Sequence, residues 1–78
     1  MDQNVINDVK RLAFEVLKDE RIMTEENFNF MDAENMDSVN RVAIPVAIEK
    51  EYEFIFKLKE IASWNTVMEL AEIVEKKM

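Results

Sequence analysis

The chain has 78 residues, a net charge of −7 from 17 acidic against 10 basic side chains, and neither His nor Cys. The missing residues exclude disulfides, thiolate nucleophiles and zinc–thiolate sites, and remove the imidazole that most general-base chemistry uses. A chain this short buries only about 60–65% of the surface it exposes unfolded, so a single domain over residues 1–78 with a thin core is expected, without a cleft between lobes.

The acidic balance disfavours nucleic acid and anionic membranes and favours partners that present Lys and Arg. The apolar runs are too short for a spanning helix, and the N-terminal segment lacks the apolar stretch of a signal peptide. A soluble, cytoplasmic monomer is expected. Gly is absent and Pro occurs once, which rules out glycine-rich phosphate loops and suits an all-helical architecture.

The first element is legible from Val5, Ile6, Val9, Leu12, Ala13, Val16 and Leu17. They form one apolar stripe on a helix of about four turns, with Asp2 or Asn4 as its cap and Lys18-Asp19-Glu20-Arg21 as its end. From residue 22 to 36 the helical period disappears. Ile22, Met23, Phe28, Phe30, Met31 and Met36 are scattered among polar residues and are expected to pin a long loop onto the core.

Asp37 and Ser38 open a second apolar stretch containing Val39, Val42, Ala43, Ile44, Val46, Ala47, Ile48 and Tyr52. It is apolar around much of its circumference, as a helix buried among others would be. Asp37 is the natural N-cap, which puts Ser38 in the first turn. Pro45 should remove the hydrogen bond to the Arg41 carbonyl and kink the helix. Phe54-Ile55-Phe56 reads as an extended, well-buried link, and Leu58 to Ala62 as a short helical turn. Thr66 and Glu69 have the spacing of a capping box. They open a last helix with its stripe at Val67, Leu70, Ala71, Val74 and Met78. The expected fold is therefore a small all-α antiparallel bundle of three main helices and one short one, with a long first loop.

Ser38 is the candidate for chemistry. A serine at a helix start often does nothing more than cap it. Here it also follows a carboxylate and sits where the long loop meets the central helix. A phosphodiester on its hydroxyl would face free backbone N–H groups and the positive end of the helix dipole.

Asp37-Ser38-Val39 resembles the Asp-Ser-Leu attachment motif of acyl and peptidyl carrier proteins. The resemblance continues without a gap. Ala47-Ile48-Glu49-Lys50-Glu51-Tyr52 is similar to the apolar, acidic, aromatic end of that family's second helix. Trp64-Asn65-Thr66-Val67 is similar to the start of its last helix, and Phe30 to a loop phenylalanine eight residues before the serine. The resemblance implies a carrier-type helical bundle that is not itself an enzyme. It would carry acyl groups as thioesters on a 4′-phosphopantetheine arm attached to Ser38, with Asp37 assisting its loading.

It further implies as partners a phosphopantetheinyl transferase and the acyl-transferring, condensing or ligase enzymes of fatty-acid, polyketide or related biosynthesis, with basic docking patches. Val39, Val46, Glu49, Lys50 and Phe56 would meet these partners. Phe30, Ile48, Ile61, Trp64 and Leu70 would line an acyl pocket, and Trp64 is bulky enough that only a short chain, or none, would be sheltered. The bland alternatives are a plain core for the apolar residues and a solvated face for Glu49, Glu51 and Glu53. A rival from another class is an unmodified helical interaction module.

Four positions depart from the family pattern. Asn35 replaces a usual Gly, Arg41 a small polar residue, Ala43 an acidic one and Pro45 an aliphatic one. They suggest a specialised carrier, and Trp64-Asn65-Thr66 is also similar to D-alanyl carriers, although Val67 stands where those have Pro. Asp32, Glu34 and Asp37 imitate the opening of an EF-hand loop. That loop needs Gly at its sixth position and Glu at its twelfth, which is Ala43, so no metal is assigned.

Overall fold

The computed structural model describes residues 2–78. It contains α1 (Gln3–Leu17), α2 (Arg21–Thr24), α3 (Ser38–Tyr52), α4 (Leu58–Ile61) and α5 (Val67–Lys77). Helix α1 is the hub, packing against α5, α3 and α2, while α4 packs against α3. Its stripe behaves as expected: Val5, Ile6, Val9, Leu12, Ala13 and Leu17 are buried in one hydrophobic cluster with residues of α3, α5 and the first loop. Asp2 is the cap, its Oδ1 accepting from the Asn4 amide at 2.8 Å. Outside the core, Arg11 pairs with Glu51 at 2.6 Å and the Tyr52 hydroxyl donates to Asp8 at 2.7 Å, so α1 and α3 are also joined along their polar rims.

Both long helices that end inside the chain stop in the left-handed conformation, at Lys18 (φ 58°) and Glu53 (φ 59°). Their amides bond back to Phe14 O and Glu49 O at 2.8 and 2.9 Å. A glycine would take that conformation without cost, and this chain has none, so Lys and Glu bear the steric penalty.

The first loop is more ordered than its sequence pattern. Asp19 Oδ1 accepts from the Arg21 amide at 3.0 Å and starts the one-turn helix α2. Asn29 Oδ1 accepts from the Met31 amide at 2.9 Å and starts a 3₁₀ turn over Phe30–Asp32. One turn is too short to leave a period in the sequence. The loop is stitched to the start of α5: Phe30 N donates to Asn65 O at 2.7 Å, Val67 N to Phe28 O at 3.0 Å, and Met68 N to Asn27 Oδ1 at 2.8 Å. Ile22, Phe28 and Phe30 pin it as expected, and Met36 is half-buried. Met23 and Met31 do not; both are exposed. Each follows a residue that its turn directs inward, and so is itself turned away.

Three further expectations are corrected. Helix α3 buries only Ile44, Pro45 and Ile48, rather than most of its circumference. Val39, Val42 and Val46 are exposed because α1 and α4 cover other sides and no further layer is left. As expected, Pro45 offers no N–H to the Arg41 carbonyl, and α3 runs on through it with its ring buried. The 54–56 link is extended but only Phe56 is buried. Phe54 is half-buried between Tyr52 (ring centroids 5.9 Å apart) and Phe56 (5.1 Å), and Ile55 is 79% exposed. An extended chain alternates its side chains, so Ile55 must face away when its neighbours face in. Finally, Met78 is exposed beyond the end of α5 and does not continue its stripe.

The capping box of α5 is formed. Thr66 Oγ1 accepts from the Glu69 amide at 3.2 Å, and Glu69 Oε1 accepts from the Thr66 and Asn65 amides at 3.0 and 2.8 Å. Those two amides, Asn65 first, hold the Glu69 carboxyl below its usual range. No helix among the described residues is long and apolar enough to cross a membrane.

Candidate functional site at the start of the central helix

Asp37 caps α3. Its backbone is extended (φ −150°, ψ −178°), and its Oδ1 accepts from the Asn40 amide at 2.8 Å. Its carbonyl accepts from the Arg41 amide at 2.9 Å, the first bond of the helix. Ser38 is therefore the first helical residue and not the cap, and its side chain is exposed. The Ser38 and Val39 amides precede the first residue that can bond within the helix, so they remain at its positive end as donors. The capping role that most simply explains a serine here belongs to its neighbour.

The turn before Ser38 is held by two asparagines. Asn40 Nδ2 donates to Asn35 O at 2.7 Å, and Asn35 Nδ2 donates to Leu17 O at 2.9 Å, closing one of the open carbonyls at the end of α1. The 34–38 segment is thus tied both to α1 and to the first turn of α3. Asn35 entered the sequence reading only as a departure from a family pattern. Its tether to a residue 18 positions away could not be inferred from spacing.

Arg41 is the other residue whose role is visible only in three dimensions. Its Nη2 donates to Ala62 O at 3.1 Å and also to Trp64 O, and its guanidinium lies 4.6 Å from the centroid of the Trp64 ring. Nη1 reaches Met31 Sδ at 3.4 Å. One side chain on the first turn of α3 therefore clamps the 62–64 segment and the 3₁₀ turn. Arg suits the position because one guanidinium nitrogen, Nη2, bonds both carbonyls while the planar group lies over the indole.

Of the residues expected to meet partners, Val39 (72% exposed), Val46 and Lys50 are on the surface. Val42 joins them, and with Val39 and Val46 at spacings of three and four it forms one apolar stripe running from Ser38. That spacing was legible, but the stripe could not be told from a buried face without knowing where α1 packs. Glu49 is half-buried, with its Oε2 accepting from the Phe56 amide at 2.8 Å, so it fastens the 54–56 link. Phe56 is buried and does not belong to a surface that partners could touch.

The five residues assigned to an acyl pocket share one cluster. Phe30, Ile48, Trp64 and Leu70 are buried, and Ile61 packs against them half-buried. Phe30 meets Trp64 edge to face with centroids 5.3 Å apart. Trp64 Nε1 is buried without a hydrogen-bond partner. A cavity of about 490 Å³ does exist, but it opens among Leu17, Lys18, Asp19, Glu20, Arg21, Glu34 and Asn35, and none of the five lines it. It is a polar depression beneath the end of α1, not an apolar channel. Arg21 on its wall bonds Asp19 at 2.7 Å, which holds that carboxyl below its usual range.

No protein-family model matches the chain, and no curated protein matches it at a significant level.

Proposed function

We propose that this chain is an acyl carrier protein, with Ser38 as the attachment point for a 4′-phosphopantetheine arm. The observation that carries this reading is the exposed Ser38 hydroxyl at the first position of α3, released from capping by Asp37. The Ser38 and Val39 amides, still free of helical partners, suit a phosphodiester there. The sequence resemblance, from Asp37-Ser38-Val39 to Trp64-Asn65-Thr66-Val67, supports it independently.

Loading would form a bond from Ser38 Oγ to the β-phosphorus of coenzyme A, displace 3′,5′-adenosine bisphosphate and pass the serine proton to a base. The chain has no His or Cys to do this alone, so a phosphopantetheinyl transferase is part of the proposal. Asp37, one residue away and already holding the helix cap, is placed to approach the transferase and its metal. The thiol of the arm would then carry the acyl group, and the protein would contribute tethering rather than chemistry, raising the effective concentration of substrate at each partner. Partners with basic docking patches would be drawn by the net charge of −7 and would meet Val39, Val42 and Val46 beside the arm.

Incubation with coenzyme A, Mg²⁺ and a broad-specificity phosphopantetheinyl transferase should add one phosphopantetheine by intact mass, and Ser38→Ala should abolish it. Absence of the adduct, or its persistence in the variant, would overturn the carrier reading and leave an unmodified helical interaction module.

A further inference from the structure

Among the described residues, the two most exposed large apolar side chains are not next to Ser38 in the chain. They are Ile55 (79%) and Leu58 (84%), on the link after α3 and the first residue of α4. Lys57 and Lys59 alternate with them and Lys50 lies in the last turn of α3, all three exposed. In a chain of net charge −7, the 55–59 segment carries only positive charge.

Three of the nearby carboxylates are held in contacts of their own, whereas Glu53 is exposed and makes no ion pair. Glu49 accepts from the Phe56 amide. Glu51 pairs with Arg11 at 2.6 Å. Glu60 accepts from the Lys57 amide at 2.7 Å and pairs with Lys77 at 2.9 Å, and these two contacts hold its carboxyl below the usual range. The ion pairs among the described residues use Arg11, Arg21 and Lys77 as cations and leave Lys50, Lys57 and Lys59 free. The patch is anchored to the fold by buried Phe56 and by the packing of α4 against α3. Two exposed aliphatic side chains, with Lys57 and Lys59 interleaved beside them in the chain, therefore stand next to the buried Phe56.

We infer that the 55–59 corner is a second docking surface, for a partner protein that offers an aliphatic groove bordered by Asp or Glu. Charge complementarity selects that occupant: the flanking cations penalise a basic rim and reward an acidic one. A flat anionic membrane fits less well, since its extended surface would meet the field of the whole acidic molecule rather than the 55–59 corner alone. The surface does not include Ser38 and needs no arm.

The probe is a synthetic amphipathic helical peptide with a leucine face bordered by glutamates, set against a twin in which lysines replace the glutamates. Both are titrated into ¹⁵N-labelled Ser38→Ala protein, so that neither loading nor its failure enters the result. The acidic peptide should shift amides in the 50–59 region, and its affinity should fall several-fold as salt rises from about 0.05 to 0.5 M, where screening shortens to a few Å. Leu58→Asp should weaken it at least about tenfold, and joint Lys57→Glu and Lys59→Glu should transfer the preference to the lysine peptide. These positions are exposed, and an unchanged circular dichroism spectrum checks that the variants fold. Equal binding of the two peptides, no shifts at 50–59, shifts centred on Val39, Val42 and Val46, or preferential binding to phosphatidylglycerol vesicles would each overturn the inference.

Discussion

Replacing Arg41 by Ala removes the clamp between α3 and the segment leading into α5. The guanidinium donates to Ala62 O and Trp64 O and stacks on the Trp64 ring at 4.6 Å. Hydrogen bonds from charged donors contribute about 1.5–3 kcal/mol each when well buried. Arg41 is only half-buried, so about 1 kcal/mol for each bond is the better figure. The cation–π contact adds about 0.5–1 kcal/mol. The sum is about 2.5–3 kcal/mol, which in a domain of this size lowers Tm by roughly 10–24 °C.

Arg41→Lys keeps the charge but loses the planar group over the indole and its fixed N–H directions, and should recover less than half of the loss. Urea and thermal unfolding followed by Trp64 fluorescence measure both variants. The emission of native Arg41→Ala should move to longer wavelength as water reaches the indole, which is fully buried in the parent. A loss below about 0.5 kcal/mol, or full rescue by Lys, would refute the clamp.

Lys18→Gly and Glu53→Gly each relieve a left-handed residue at a helix end. The relief of about 1–2 kcal/mol exceeds the added freedom of glycine in the unfolded chain, so each should raise stability by up to about 1 kcal/mol in chemical denaturation; a loss would contradict it. The Glu69 carboxyl is held down by the Asn65 and Thr66 amides, and that of Glu60 by the Lys57 amide and the Lys77 ammonium. Unfolded glutamates titrate near about 4.3, so these contacts stabilise the fold above that pH and are lost as pH falls through the depressed folded values. Stability should therefore fall on acidification below about pH 4.5, and Glu69→Gln should flatten that fall; an unchanged acid profile would count against the capping role. If the arm is loaded with acyl groups of increasing length, hydroxylamine cleavage of the thioester should not slow with chain length. Phe30, Ile48, Trp64 and Leu70 already fill the interior against one another, and strong protection of long chains would show that the cluster opens.

The sequence alone determined the three long helices, the Asp37 cap and the Thr66–Glu69 box, because each depends on residues within about one turn of each other. It also put Ser38 in the first turn behind the Asp37 cap, while the expectation of an attachment site there rested on the resemblance around Asp37-Ser38-Val39. It could not decide which face of α3 would be covered. Val39, Val42 and Val46 are as apolar as Ile44 and Ile48, and only the packing of α1 and α4 separates exposed from buried. The same holds for Ile55, Met23 and Met31, apolar residues left outside when their neighbours fill a small core. Arg41 and Asn35 looked like departures from a pattern and proved to be tethers, because their partners, Trp64 and Leu17, lie far away in sequence. Local chemistry set the helices and their ends. Tertiary packing decided which apolar faces remain free for a partner.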